Sequence, residues 1–250
     1  MKPYLPLEGI MDDYRDDLEV QHRRPTATRP LLGLTVLVVE DSRFACDAMR
    51  LLCLRSGARI RRADCIKSAR RHLQVYRPSV AIIDLGLPDG SGAELIAELA
   101  HTSPRIDVLL GTSGDSFSED VAMAAGADGF LAKPIESVLV FQSKILSALP
   151  PERQPNGPRL VSDDPVRPDP MAYRDDMAHA ADVLDERGDG RMLDYLAQFL
   201  RGVAHSAGDG SLQKAAEDLA EARAKGRPLQ AVIARVAALI QDRLSDRVAI

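Results

Sequence analysis

Five side chains in this sequence are of types that could act together on one phosphorus atom. Asp84 closes the apolar run Val80–Ile83, and Glu40 and Asp41 close the run Val36–Val39. Ser113 ends a third apolar run and Lys133 a fourth, just before Pro134. Carboxylates brought together repel one another and need a proton or a cation between them. Oxygen ligands with no His or Cys beside them suit a hard ion such as Mg²⁺, held by a few carboxylates and its own waters. Such an ion would neutralise an incoming phosphoryl group, and Asp84 could attack it to form an aspartyl phosphate. That chemistry needs positioning and charge neutralisation more than acid–base help. Ser113 could donate to one phosphoryl oxygen, and Lys133 could pair with another.

Taken singly, each residue has a plainer reading. Glu40 and Asp41 suit a helix N-terminus, where acids are favoured. Ser113 could be a loop hydroxyl, Asp84 a loop acid, and Lys133–Pro134 a strand-to-helix turn. The elements that carry them decide between these readings. Strands are expected at 35–40, 58–63, 79–84, 105–113 and 128–134. Helices are expected at 42–57, 65–78, 91–102, 118–127 and 135–149, with Ser42 as N-cap and Gly57 as stop of the first. Five strands alternating with five helices imply α/β architecture, a doubly wound parallel sheet with right-handed crossovers. The second strand, RIRRA, is polar and belongs near an edge. Ligands of open α/β sheets sit beyond the carboxyl ends of the strands, and all five side chains fall at those ends.

The stretches VLVVEDS, AIIDLGLPDGSG, GTSGD and GFLAKPI, in this order, resemble the receiver domain of two-component response regulators. Ser113 lies 29 residues and Lys133 49 residues after Asp84, close to the family's spacing. The resemblance covers 34–149 and implies a flavodoxin-like sheet of order 2-1-3-4-5. It implies Asp84 as phosphoacceptor and Mg²⁺ held by Glu40, Asp41, Asp84 and the Gly86 backbone carbonyl. It also implies Ser113 as the switch hydroxyl, Lys133 as the phosphoryl-pairing lysine and Phe130 as the aromatic that follows the switch. Asp115 lies beside the entrance. Gly86 departs from most of the family by offering no side chain over the acyl phosphate. The implied partners are a histidine kinase or a histidine phosphotransfer protein. The domain would catalyse only its own phosphorylation and dephosphorylation.

Outside this segment, residues 1–33 read as a polar, proline-broken arm and 150–170 as a Pro- and Asp-rich linker. Residues 171–250 read as helices near 171–187, 190–206, 211–225 and 228–247, a bundle or dimerisation element. Residues 151–250 hold 14 Lys/Arg and 17 Asp/Glu, a poor basis for a DNA-binding face. A downstream protein partner, with a possible homodimer, is the expected output, and nucleic acid is not. His205 sits in a stretch that weakly resembles a histidine phosphotransfer helix, without that family's Lys and Gly. A phosphorelay role for it, a partner-binding pseudo-receiver and a transcriptional regulator with an unrecognised DNA reader are the alternatives. The apolar runs are too short to span a bilayer, the acidic N-terminus does not read as a signal peptide, and the cytoplasm is expected. Cys46, Cys53 and Cys65 lack metal-site spacing and read as small thiols in a reducing compartment.

Overall fold

A computed structural model describes residues 25–115, 117–155, 157, 159–160, 164–185 and 190–245. The parallel sheet forms as expected, from β1 (Thr35–Val39), β2 (Arg59–Ala63), β3 (Val80–Asp84), β6 (Val108–Ser113) and β7 (Gly129–Ala132). Its order is β2-β1-β3-β6-β7, with every pairing parallel. Two further strands, β4 (Gly86–Leu87) and β5 (Gly90–Ser91), pair only with each other. Skipping that hairpin, the order is the expected 2-1-3-4-5. Both faces of β3 are covered, which is why it reads as a continuous apolar run. β2 exposes its arginines at the edge.

Helices α1 (Arg43–Ser56) and α5 (Val138–Ala148) cover one face of the sheet. α2 (Ile66–Val75), α3 (Gly92–Ala100) and α4 (Ser118–Ala124) cover the other. α2 stops earlier than expected, because Tyr76 is extended ahead of the Arg77–Pro78 pair. α5 starts later than expected, with the Ser137 hydroxyl accepting from Val140 N. The β3–α3 turn is tight: a Cβ on Gly92 would lie 1.9 Å from the carbonyl oxygen of Asp84. Glycine therefore lets α3 begin directly behind the acid.

Two compositional expectations need correction. Residues 25–33, read as part of the arm, include the fully buried Leu31, whose N–H donates to Ser56 O. Residues 1–24 of that arm lie outside the described residues. Described residues of the 150–170 stretch, read as a linker, are held against the sheet domain. Val166 enters its core and donates from its N–H to Glu136 O, and Arg55 donates to Asp164 O. A short polar strand of chain can bury one well-placed aliphatic residue without forming a core of its own.

Helices α6 (Pro170–Asp185), α7 (Gly190–Ala207), α8 (Gly210–Ala224) and α9 (Gln230–Ser245) form a bundle around Leu196, Leu200, Leu212, Leu219, Val236 and Ile240. Within each helix these residues recur at the spacing of one helical face. The bundle is docked on the sheet domain. Tyr173 packs edge-on against Phe44, with ring centroids 5.8 Å apart, and Arg43 pairs with Asp175 at 2.8 Å.

Candidate functional site

The carboxyl ends of β1, β3, β6 and β7 bring the five expected side chains together. Asp84 is the last residue of β3, and Glu40 and Asp41 directly follow β1. The three offer carboxylate oxygens that all lie within 4.8 Å of one another. Lys133, one residue past β7, places Nζ 2.6 Å from Glu40 Oε2 and 3.1 Å from Asp84 Oδ2. Glu40 Oε1 accepts from Ser42 N at 3.3 Å. Ser113 ends β6, and its Oγ accepts from Asp115 N at 3.2 Å. Phe130 is buried in the core on the α3–α4 side of the sheet, so its ring points inward.

One ammonium faces three acids here, and the electrostatics follow from that ratio. Burial, followed by the charges of Asp84 and Asp41, raises the Glu40 carboxyl well above its ordinary value against the pull of Lys133. Burial and the Asp84 charge push Asp41 up to about 6. Burial opposes the charge on Lys133, but Asp84 and Glu40 outweigh it and keep its pKa raised. The cluster holds surplus negative charge in a dry place. A divalent cation would fit that surplus, with Glu40, Asp41 and Asp84 available as oxygen donors.

The acid pair does not cap α1. Ser42 Oγ accepts from Ala45 N at 3.0 Å. Asp176, from α6, accepts from Arg43 N at 2.7 Å, Phe44 N at 3.1 Å and Ser42 Oγ at 2.7 Å. Sequence reading missed Asp176 and three more residues that line or clamp the site. Tyr195 Oη donates to Asp41 Oδ2 at 2.7 Å, and its oxygen accepts from His179 Nε2 at 3.1 Å. The Gln198 amide lies against Gly86, where a Cβ would meet its Nε2 at 2.1 Å. Arg201 pairs with Asp115 at 3.0 Å. All four stand on α6 and α7, whose apolar stripes announce a bundle and nothing about its docking. An aromatic or amide on a helix carries no local mark of a partner more than a hundred residues away.

His205 is not brought to the site. It is exposed in the last turn of α7, while Gln198, Arg201, Gly202 and Ser206 line the cavity over Asp84.

Residues 36–143 match the family model described as the response regulator receiver domain. Over 109 residues the chain is 33% identical to the transcriptional regulatory protein PhoP of Escherichia coli O157:H7, covering 42% of this chain and 49% of that one. It is 32% identical to the virulence transcriptional regulatory protein PhoP of Salmonella typhimurium strain LT2, with the same coverage. The chain thus spans about half the length of the curated relatives it matches. Among solved structures, the chemotaxis response regulator CheY4 of Vibrio cholerae is similar, at 22% identity and a TM-score of 0.41. That match covers 45% of this chain and 98% of that one. Among the described residues no helix is long and apolar enough to cross a membrane. With its sheet order, its acidic pocket and this match, the segment 36–143 is a response regulator receiver domain.

Proposed function

We propose that this protein is a phosphorylation-controlled response regulator in which Asp84 accepts a phosphoryl group from a histidine kinase or a histidine phosphotransfer protein. The observation that carries the reading is the Asp84–Lys133–Glu40 contact beside Asp41. A carboxylate, an ammonium and an acid pair meeting at one sheet edge support a nucleophile, a charge partner and a cation site there. A carboxylate oxygen of Asp84 forms the new P–O bond as the donor's P–N bond breaks, and the electron pair leaves with the donor imidazole. Lys133 stays protonated and neutralises phosphoryl charge. Ser113 supplies a hydroxyl to a second phosphoryl oxygen. Glu40, Asp41, Asp84 and the Gly86 carbonyl would hold Mg²⁺, which when bound offsets the charge of the transferring group.

Phosphorylation adds about 1.5 to 2 negative charges and three strong acceptors. Ser113 is drawn toward them, Gly114 and Asp115 reposition with it, and Phe130 follows. The output is a protein contact, with a partner protein or a second copy of this chain, and its setting is the cytoplasm. A DNA-reading output is disfavoured by the net −3 of residues 151–250.

The test is labelling by radioactive acetyl phosphate with Mg²⁺. Wild type gains a hydroxylamine-sensitive label. Asp84→Asn gains none and keeps its circular dichroism spectrum. A label of equal yield on that variant refutes the assignment.

A further inference from the structure

The docked bundle sits where the chemistry would have to happen. α7 crosses the carboxyl edge of the sheet and contacts the site at three points. Tyr195 donates to Oδ2 of Asp41, one of the carboxylates proposed to hold the metal. Gln198 fills the space over Gly86. Arg201 holds Asp115, whose N–H in turn engages the Ser113 hydroxyl. A fourth contact lies outside the site, where Asp176 of α6 seats the bundle on the first turn of α1. What remains between α7 and Asp84 is a cavity of about 30 Å³. That is room for one or two waters. A phosphoryl group with a donor imidazole in line behind it does not fit, and Asp84 is only 7% exposed.

We infer that docking of the α6–α7 face and occupation of the site by Mg²⁺ and a phosphoryl group exclude one another. The bundle is thereby both the gate on phosphorylation and its first readout. This rests on the receiver reading above and specifies its regulation. Two ligands of one site that cannot bind together are negatively coupled, and the coupling is reciprocal. Whatever weakens docking must strengthen phosphoryl binding, and phosphorylation must release the bundle. Release uncovers Asp176, Tyr195, Gln198 and Arg201 as one polar surface, the face then free to meet another molecule.

The experiment uses the full chain with Mg²⁺ and beryllofluoride, an acyl-phosphate mimic. Binding is followed by ¹⁹F NMR, and docking by hydrogen–deuterium exchange of residues 195–206 and 43–46. Binding is expected to raise exchange in both segments several-fold. Asp176→Ala touches neither the phosphoryl nor the metal position, yet should lower the half-saturating beryllofluoride concentration about tenfold. Arg201→Ala should act in the same direction and serves if the first variant folds poorly. Bound beryllofluoride with unchanged exchange in both segments overturns the inference, as does unchanged affinity in both variants. If no form of the protein binds the mimic, the receiver reading fails and this inference falls with it.

Discussion

Lys133 is the residue on which the acid cluster depends. Its side chain is 8% exposed, and its ammonium touches the side chains of Glu40, 1% exposed, and Asp84, 10% exposed. Buried ions of this kind add little net stability as pairs, but removing one partner strands the other. Lys133→Ala should therefore lower the unfolding free energy by about 3 kcal/mol, measured by urea titration without divalent ions. Adding Glu40→Gln to that variant should recover a large part of the loss, because it removes one stranded charge. An additive double mutant would show that the two residues are not coupled.

At the scale of elements, close approach and capping decide what is tolerated. Gly92→Ala would drive a methyl into the Asp84 carbonyl, which is backbone and cannot step aside. The expected cost is about 2–3 kcal/mol, read as a lower thermal midpoint. Gly86→Ala meets only the end of the Gln198 side chain and should be far milder. In the bundle, Asp209 caps α8 by accepting from Leu212 N at 3.0 Å. It also accepts from Arg243 Nε at 2.8 Å and from Tyr173 Oη at 2.8 Å. Burial works to raise its carboxyl, but the hydrogen bonds from Arg243, Leu212, Ser211 and Tyr173 outweigh it and hold the pKa below the ordinary 3.8. Its depressed value means the folded state releases this proton more readily than the unfolded chain. The stabilisation is present above pH 3.8 and is lost as pH falls below it. Urea midpoints of wild type should fall below pH 4 more steeply than those of Asp209→Asn. Parallel curves would remove Asp209 from the account.

The described molecule is a sheet domain with a core on each face and a helical bundle with a third, joined at one edge. The three thiols test how firmly it is closed. Burial pushes the Cys46 and Cys53 thiols up to about 12, with the Glu40 charge adding to the shift at Cys46. Cys65 is half-buried at the start of α2. A thiol reagent at neutral pH should modify Cys65 first, with Cys46 and Cys53 following only as the native fold opens. Mass spectrometry of labelled peptides reads the order directly. Early modification of Cys53 would mean that α1 leaves the sheet more easily than its burial implies.

The strand order was implied by the resemblance to receiver domains, whereas the alternating strands and helices and the five residues at the sheet edge were legible in the sequence itself. Those features rest on local signals: apolar runs of strand length, Ser42 and Gly57 at the ends of α1, and acids placed just past buried strands. The same signals announced four helices after residue 170. Tertiary structure decided that Leu31 and Val166 complete the receiver core, that His205 faces away, and that Asp176 caps a helix 133 residues earlier. It also decided that Tyr195 meets Asp41 across 154 residues. A periodic pattern tells which face of a helix is apolar, not which polar residues on it will find partners. Those contacts exist only once two separately folded surfaces are brought together, so no stretch of chain a few residues long encodes them.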